Sequence, residues 1–231
     1  MEPKSLLLHL RRELTYFQKT LVDGELSAPV EHCGDWTLHD LAEHMGGSNL
    51  WAAIAATEGR GDFKPPAAPR ERSALVEWFE ASSATLLKAL DTAPDTAAWT
   101  FYPPHTVGFW QRRRCMETLV HRWDAEHAVG THRPMDVELA GEGVAEVFDT
   151  MAPLLVSRGR ALAPESALRL EATDSGASWT YGPGSPVATL AAPAEHLLLL
   201  LWNRMPVDGE TFAWEGDQRA GRRILERTLT P

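Results

Sequence analysis

Cysteine is nearly absent from this chain: Cys33 and Cys115 are the only two in 231 residues. Two thiols that far apart exclude a disulfide framework and a CxxC redox or zinc motif. Positive charge is also scarce, with 22 Lys and Arg against 32 Asp and Glu and a formal net charge of −10. Such a balance repels a phosphate backbone and argues against a nucleic-acid partner. The longest basic run, Arg112 to Arg114, reads as a solvated helix face. Long apolar runs are missing too. "EHLLLLLWNRM" is too short to span a bilayer and reads as a buried helix. The apolar start of "MEPKSLLLHLRREL" is broken by charge before a secretory core is complete. The expectation is a cytoplasmic protein with reduced thiols and no membrane partner; oligomeric state is left open.

What is present is an ordinary globular composition, 44% hydrophobic and 23% charged, long enough for one large or two small domains. Leu7, Leu10, Leu14, Phe17 and Leu21 recur at spacings of three and four, predicting an amphipathic first helix. "DWTLHDLAEHM" opens a second, with Thr37 and Asp40 at capping-box spacing and an inward set of Leu41, His44, Met45, Ser48 and Trp51. Leu75, Phe79, Leu86 and Leu90 mark a third helix. A fourth runs from about Phe109 to Val129 and stops at Gly130. Four such helices predict an up-and-down bundle over residues 1–135. Beyond it, "SALRLEATD", "SWTYG", "VATLAA" and "TFAWEGD" read as strands. Helical stretches at 137–157, "PAEHLLLLLWNRM" and "QRAGRRILERTL" accompany them, so residues 136–231 are expected to form a small α+β domain.

"ETLVHRWDAEH" carries the chemistry. Glu117 and His121 are four apart and share one helix face, which Asp124 continues. If the second helix faces the fourth, His44 meets them, making a three-ligand site with open positions that suits zinc, Fe(II) or Ni(II). The bland alternative is that ExxxH is a chance spacing and the histidines are hydrogen-bonded core residues. Asp124 reads as a partner behind a ligand or an ion-pair group. His39, His127 and His132 are expected to face solvent, and His105 is ambiguous. The aromatic segment 91–108, with Trp99, Phe101, Tyr102 and the adjoining Phe109, either walls a pocket or simply packs on the bundle.

"GDWTLHDLAEHMG" and "FWQRRRCMETLVHRWDAEHAVG" resemble the two signature segments of the mycothiol-dependent maleylpyruvate isomerase family. The likeness covers essentially the whole chain and is weaker after residue 136. It implies a DinB-like four-helix bundle followed by a small α+β domain. It also implies zinc held by His44, Glu117 and His121, and mycothiol, the low-molecular-weight thiol of actinobacteria, as a cofactor. A catalytic arginine is implied as well, falling on Arg204, although the family pattern there is closer to Gly-Arg and this chain has Asn203. The alternative for Arg204 is that it caps its helix.

The implied reaction is thiolate addition to the cis double bond of maleylpyruvate, rotation about the new single bond, and elimination to fumarylpyruvate. Arg204 would grip the substrate carboxylates. The same site would also serve a mycothiol S-transferase acting on an electrophile or, with water at the metal, a hydrolase. A non-catalytic module sensing metal or thiol, or binding a protein partner, is the reading from another class.

Overall fold

The 3.6-residue periodicity of the first half becomes four long helices in the computed structural model, which describes all residues except Gly209, Thr228 and Pro231. They are α1 (Pro3–Asp23), α2 (Leu38–Glu58), α3 (Arg72–Leu90) and α4 (Val107–Ala128). The buried stripe of α1 is Leu6, Leu10, Leu14, Phe17 and Leu21, so it starts one residue before the expected Leu7, which is half-buried. Leu6 lies a full turn from Leu10, whereas Leu7 has rotated toward the rim. Helix α2 opens with a reciprocal cap: the Asp40 N–H donates to the Thr37 hydroxyl and the Thr37 N–H to the Asp40 carboxylate at 2.8 Å. Helix α4 ends before Gly130, whose φ of 68° lies in the left-handed region that suits glycine.

The helices are not in the expected up-and-down order. α1 packs on α3 and α4, and α2 packs on the same two, so the order around the bundle is α1, α3, α2, α4. The connection of residues 24–37 crosses the bundle end between helices that are not neighbours. It is tied down by the buried Val30 and by Arg72, whose guanidinium donates to the carbonyls of Leu21 and Gly24 at the end of α1. This order makes α2 and α4 direct neighbours.

Two compact units divide the chain, Met1–Arg133 and Pro134–Pro231. The second begins with α5 (Val137–Glu146), one wider π turn at 147–151, and α6 (Ala152–Ser157). The widening precedes Pro153, which has no N–H to continue the helical ladder. Strands β1 (Ala167–Ala172), β2 (Ser178–Tyr181), β3 (Pro186–Ala192) and β4 (Ala213–Gly216) form one sheet in the order β2-β1-β3-β4. β1 and β3 run parallel, and each edge strand is antiparallel to its neighbour. Helix α7 (Ala194–Leu201) packs on α5 and β1, and α8 (Gln218–Leu225) packs on β1 and β3. The closing helix is thus shorter than the expected 218–229, and Thr228 of that stretch lies outside the described residues. No described helix is long and apolar enough to cross a membrane.

Candidate metal centre

Glu117 and His121 lie on the face of α4 turned to α2, and His44 reaches them from the middle of α2. His44 Nε2 stands 3.1 Å from Glu117 Oε1, and the His44 and His121 rings meet edge to face at 5.2 Å. One donor atom from each of the three lies within 4.8 Å of the other two. Trp36, 36% exposed, places its ring 5.0 Å from that of His44.

The second oxygen of Glu117 is held from behind. Oε2 pairs with Arg114 Nη1 at 2.7 Å and stands 3.5 Å from Arg113 Nε. The side chains of Arg114 and Arg113 are only 1% and 4% exposed, so these two members of the basic run are not a solvated face, contrary to the sequence reading. The carboxylate offsets part of their charge inside the bundle, which makes burial more tolerable. Arg114 also donates to Asn49 Oδ1 at 2.8 Å, and Asn49 donates to the Ser83 hydroxyl. Burial alone would push the Glu117 carboxyl up. Arg114, the His44 hydrogen bond and Arg113 outweigh it and hold the carboxyl well below its ordinary value.

Behind His121 stands Asp124, whose Oδ2 is 2.9 Å from His121 Nδ1. Burial lowers the His121 pKa, with the Asp124 hydrogen bond opposing it. The ring is therefore disposed to be neutral, with the proton on Nδ1 facing Asp124 and the Nε2 lone pair available. A carboxylate behind one ring nitrogen is the usual support of a metal-binding imidazole. Two imidazoles and one ionised carboxylate suit zinc and its neighbours among divalent transition metals, so the residues present fit such an ion. The Cys33 thiol donates to the same Asp124 oxygen at 3.7 Å, while Cys115 is buried.

The other singled-out residues have local partners. Arg204, in the second unit, donates to the Trp202 carbonyl at 2.7 Å and lies over the Trp202 ring at 5.7 Å. Its predecessor Asn203 has φ 58°, and the N–H groups of Arg204 and Asn203 return to the carbonyls of Leu199 and Leu200. That is a Schellman turn, whose left-handed position takes glycine first and asparagine next, as Asn203 does here. Trp99, Phe101 and Phe109 gather with Trp51 and Trp110, with neighbouring centroids 5.0 to 6.2 Å apart. His105 Nδ1 is 2.7 Å from the Thr100 hydroxyl, a loop-internal contact. His39, expected in solvent, is half-buried with Nε2 2.9 Å from the Pro69 carbonyl; His127 and His132 are exposed. Sequence reasoning passed over Asn49 and Trp36. Asn49, a carboxamide amid the alanines and leucines of α2, was a signal of a buried polar partner.

Two imidazoles and a carboxylate between two helices of a bundle form the kind of donor set from which bundle metal sites are built. The family model for the mycothiol maleylpyruvate isomerase N-terminal domain matches residues 7–126, and that for the MDMPI C-terminal domain matches residues 138–223. The chain belongs to the mycothiol maleylpyruvate isomerase family. An uncharacterized protein of Mycobacterium tuberculosis (strain CDC 1551 / Oshkosh) is 31% identical over 152 residues, covering 61% of this chain and 75% of that one. A protein of strain ATCC 25618 / H37Rv is similar to the same extent. The crystal structure of the mycothiol-dependent maleylpyruvate isomerase aligns with a TM-score of 0.66 at 15% identity, covering 93% of each chain. A histidine-to-alanine mutant of that isomerase aligns at 0.63 and 15% identity, covering 87% of this chain and 88% of the other. At that identity the likeness is one of fold.

Proposed function

We propose that this protein is a mycothiol-dependent maleylpyruvate isomerase in which His44, Glu117 and His121 hold a divalent ion, zinc by its donor set. The observation that carries the reading is the convergence of these three donors within 4.8 Å in a chain of this family. When bound, the ion supplies a Lewis-acid position at which a thiol loses its proton at neutral pH. The chain's own groups prepare that position. Arg114 and Arg113 keep Glu117 ionised, and the Asp124 carboxylate turns the His121 lone pair inward. Trp36, beside His44, offers an exposed apolar surface to a ligand arriving there. Arg204 is proposed, from the family resemblance, as a cation for a substrate carboxylate.

The test is metal analysis of purified protein, then conversion of maleylpyruvate with and without mycothiol. At least one zinc per chain and strictly thiol-dependent turnover are expected. His44→Ala should lose the turnover and one equivalent of zinc while keeping its helical circular dichroism, and Arg204→Ala should raise KM with metal content unchanged. Turnover that persists without thiol, or full activity in His44→Ala, would defeat the reading.

A further inference from the structure

A second group of donors lies on the same unit, outside the centre just described. Glu31 and His32 come from the connection between α1 and α2, and His127 from the last turn of α4. One donor atom from each lies within 4.8 Å of the others. Glu31 Oε2 is 3.1 Å from His127 Nε2, with side chains 69% and 48% exposed. The geometry points to a second divalent-metal site at Glu31, His32 and His127, separate from His44, Glu117 and His121.

Three features favour a site over a surface coincidence. The His127 ring is stacked on Trp123 at 4.7 Å and 8°, so its orientation does not have to be created when an ion arrives. The His32 ring lies 5.9 Å from the same indole and 6.1 Å from the His127 ring, so one tryptophan sets both imidazoles. The donors also come from elements remote in sequence, brought together by the way residues 24–37 cross toward α4. Two imidazoles and a carboxylate select Zn(II), Ni(II) or Cu(II) over Mg(II) or Ca(II), and the exposure leaves the remaining positions to water. His127 follows His121 by six residues, about 9 Å along the helix at 1.5 Å per residue, and the two sites have no donor in common. The second ion would fasten the connection that also carries Cys33 and Trp36, the residues beside Asp124 and His44.

The experiment is a zinc titration of the metal-stripped full chain against a chromophoric chelator. Wild type should take up two equivalents. His32→Gln with His127→Gln should take up one. His44→Ala with His121→Ala should also take up one, and that equivalent should vanish when all four changes are combined. A thermal melt in excess zinc supplies the second readout. Wild type should gain more in midpoint than His32→Gln with His127→Gln, because an ion bound only by the folded chain stabilises it. Titrations in which wild type and the His32→Gln, His127→Gln protein bind equal numbers of zinc ions would overturn the second site. Such a result would leave the isomerase centre untouched. Loss of the equivalent assigned to His44 and His121 alone would do the reverse.

Discussion

Glu117 divides its work between two oxygens. Oε1 faces His44, and Oε2 faces the buried Arg114, whose guanidinium is in turn held by Asn49. A carboxylate tied on one side can offer only the other to an ion, which orients it as a single-atom donor. Replacing Arg114 by Met removes the balancing charge from the interior. The expected cost is about 3 kcal/mol in urea unfolding of the metal-free protein, the lower part of the range for breaking a buried pair, because Glu117 keeps 17% exposure. A loss under about 1 kcal/mol would mean that water already compensates the carboxylate. Asp124→Asn tests the support behind His121. Because the carboxylate fixes the ring's tautomer, the change should weaken zinc binding by about 10- to 100-fold, read by chelator competition. An unchanged affinity would show that the imidazole needs no such partner.

At the scale of the element, the helix ends are where local chemistry can be tested separately from packing. The Glu71 carboxylate caps α3, accepting from the Ser73 hydroxyl and from the N–H groups of Ser73 and Ala74. These bonds push its pKa down from 4.5 to about 2, the Ser73 hydroxyl contributing most. The folded value lies below the unfolded one, so the cap's contribution is complete above about pH 4.5 and is lost as pH falls toward about 2. Glu71→Gln should therefore flatten the acid limb of the stability curve in that window. An unaltered limb would place the acid sensitivity elsewhere. At the end of α7, Asn203 occupies a φ of 58°. Asn203→Gly should be tolerated, whereas Asn203→Val should cost about 1–2 kcal/mol through the left-handed backbone. Both effects can be read from denaturant midpoints.

For the molecule as a whole, α1 and α4 are joined by charges that no water screens. Arg122, 1% exposed, donates to Glu13 of α1 at 2.8 Å and to Glu126 at 2.9 Å, and it also reaches the Arg133 carbonyl. Arg133 closes the network on Glu126 and lies over the Tyr16 ring. Glu13→Leu should destabilise the first unit by about 3–5 kcal/mol, since it strands part of a buried guanidinium. Because Glu13 lies on α1, which supplies no donor to either site, zinc stoichiometry should be retained wherever the variant remains folded. Loss of zinc at full helicity would tie the network to the centre.

Much of this was legible in residue order, because it depends on spacing along one helix or on a local cap. The stripe of α1, the Thr37 box, the stop at Gly130, and the shared face of Glu117, His121 and Asp124 follow from a rise and rotation common to every α-helix. The four strands were equally readable from their alternation and bounding turns. Burial of Arg113 and Arg114 was not legible, because a basic triplet declares charge and not the carboxylate that meets it. Nor was the order α1, α3, α2, α4, since apolar stripes say which face is inward and not which helix covers it. The approach of His44 to Glu117, across 73 positions of chain, follows from residue order only on the condition that α2 faces α4, which the family resemblance favours and packing realises. Local geometry decides which side chains share a face. Distances between remote groups come from how long helices cross and how the segments between them are pinned, and only the tertiary structure could decide those.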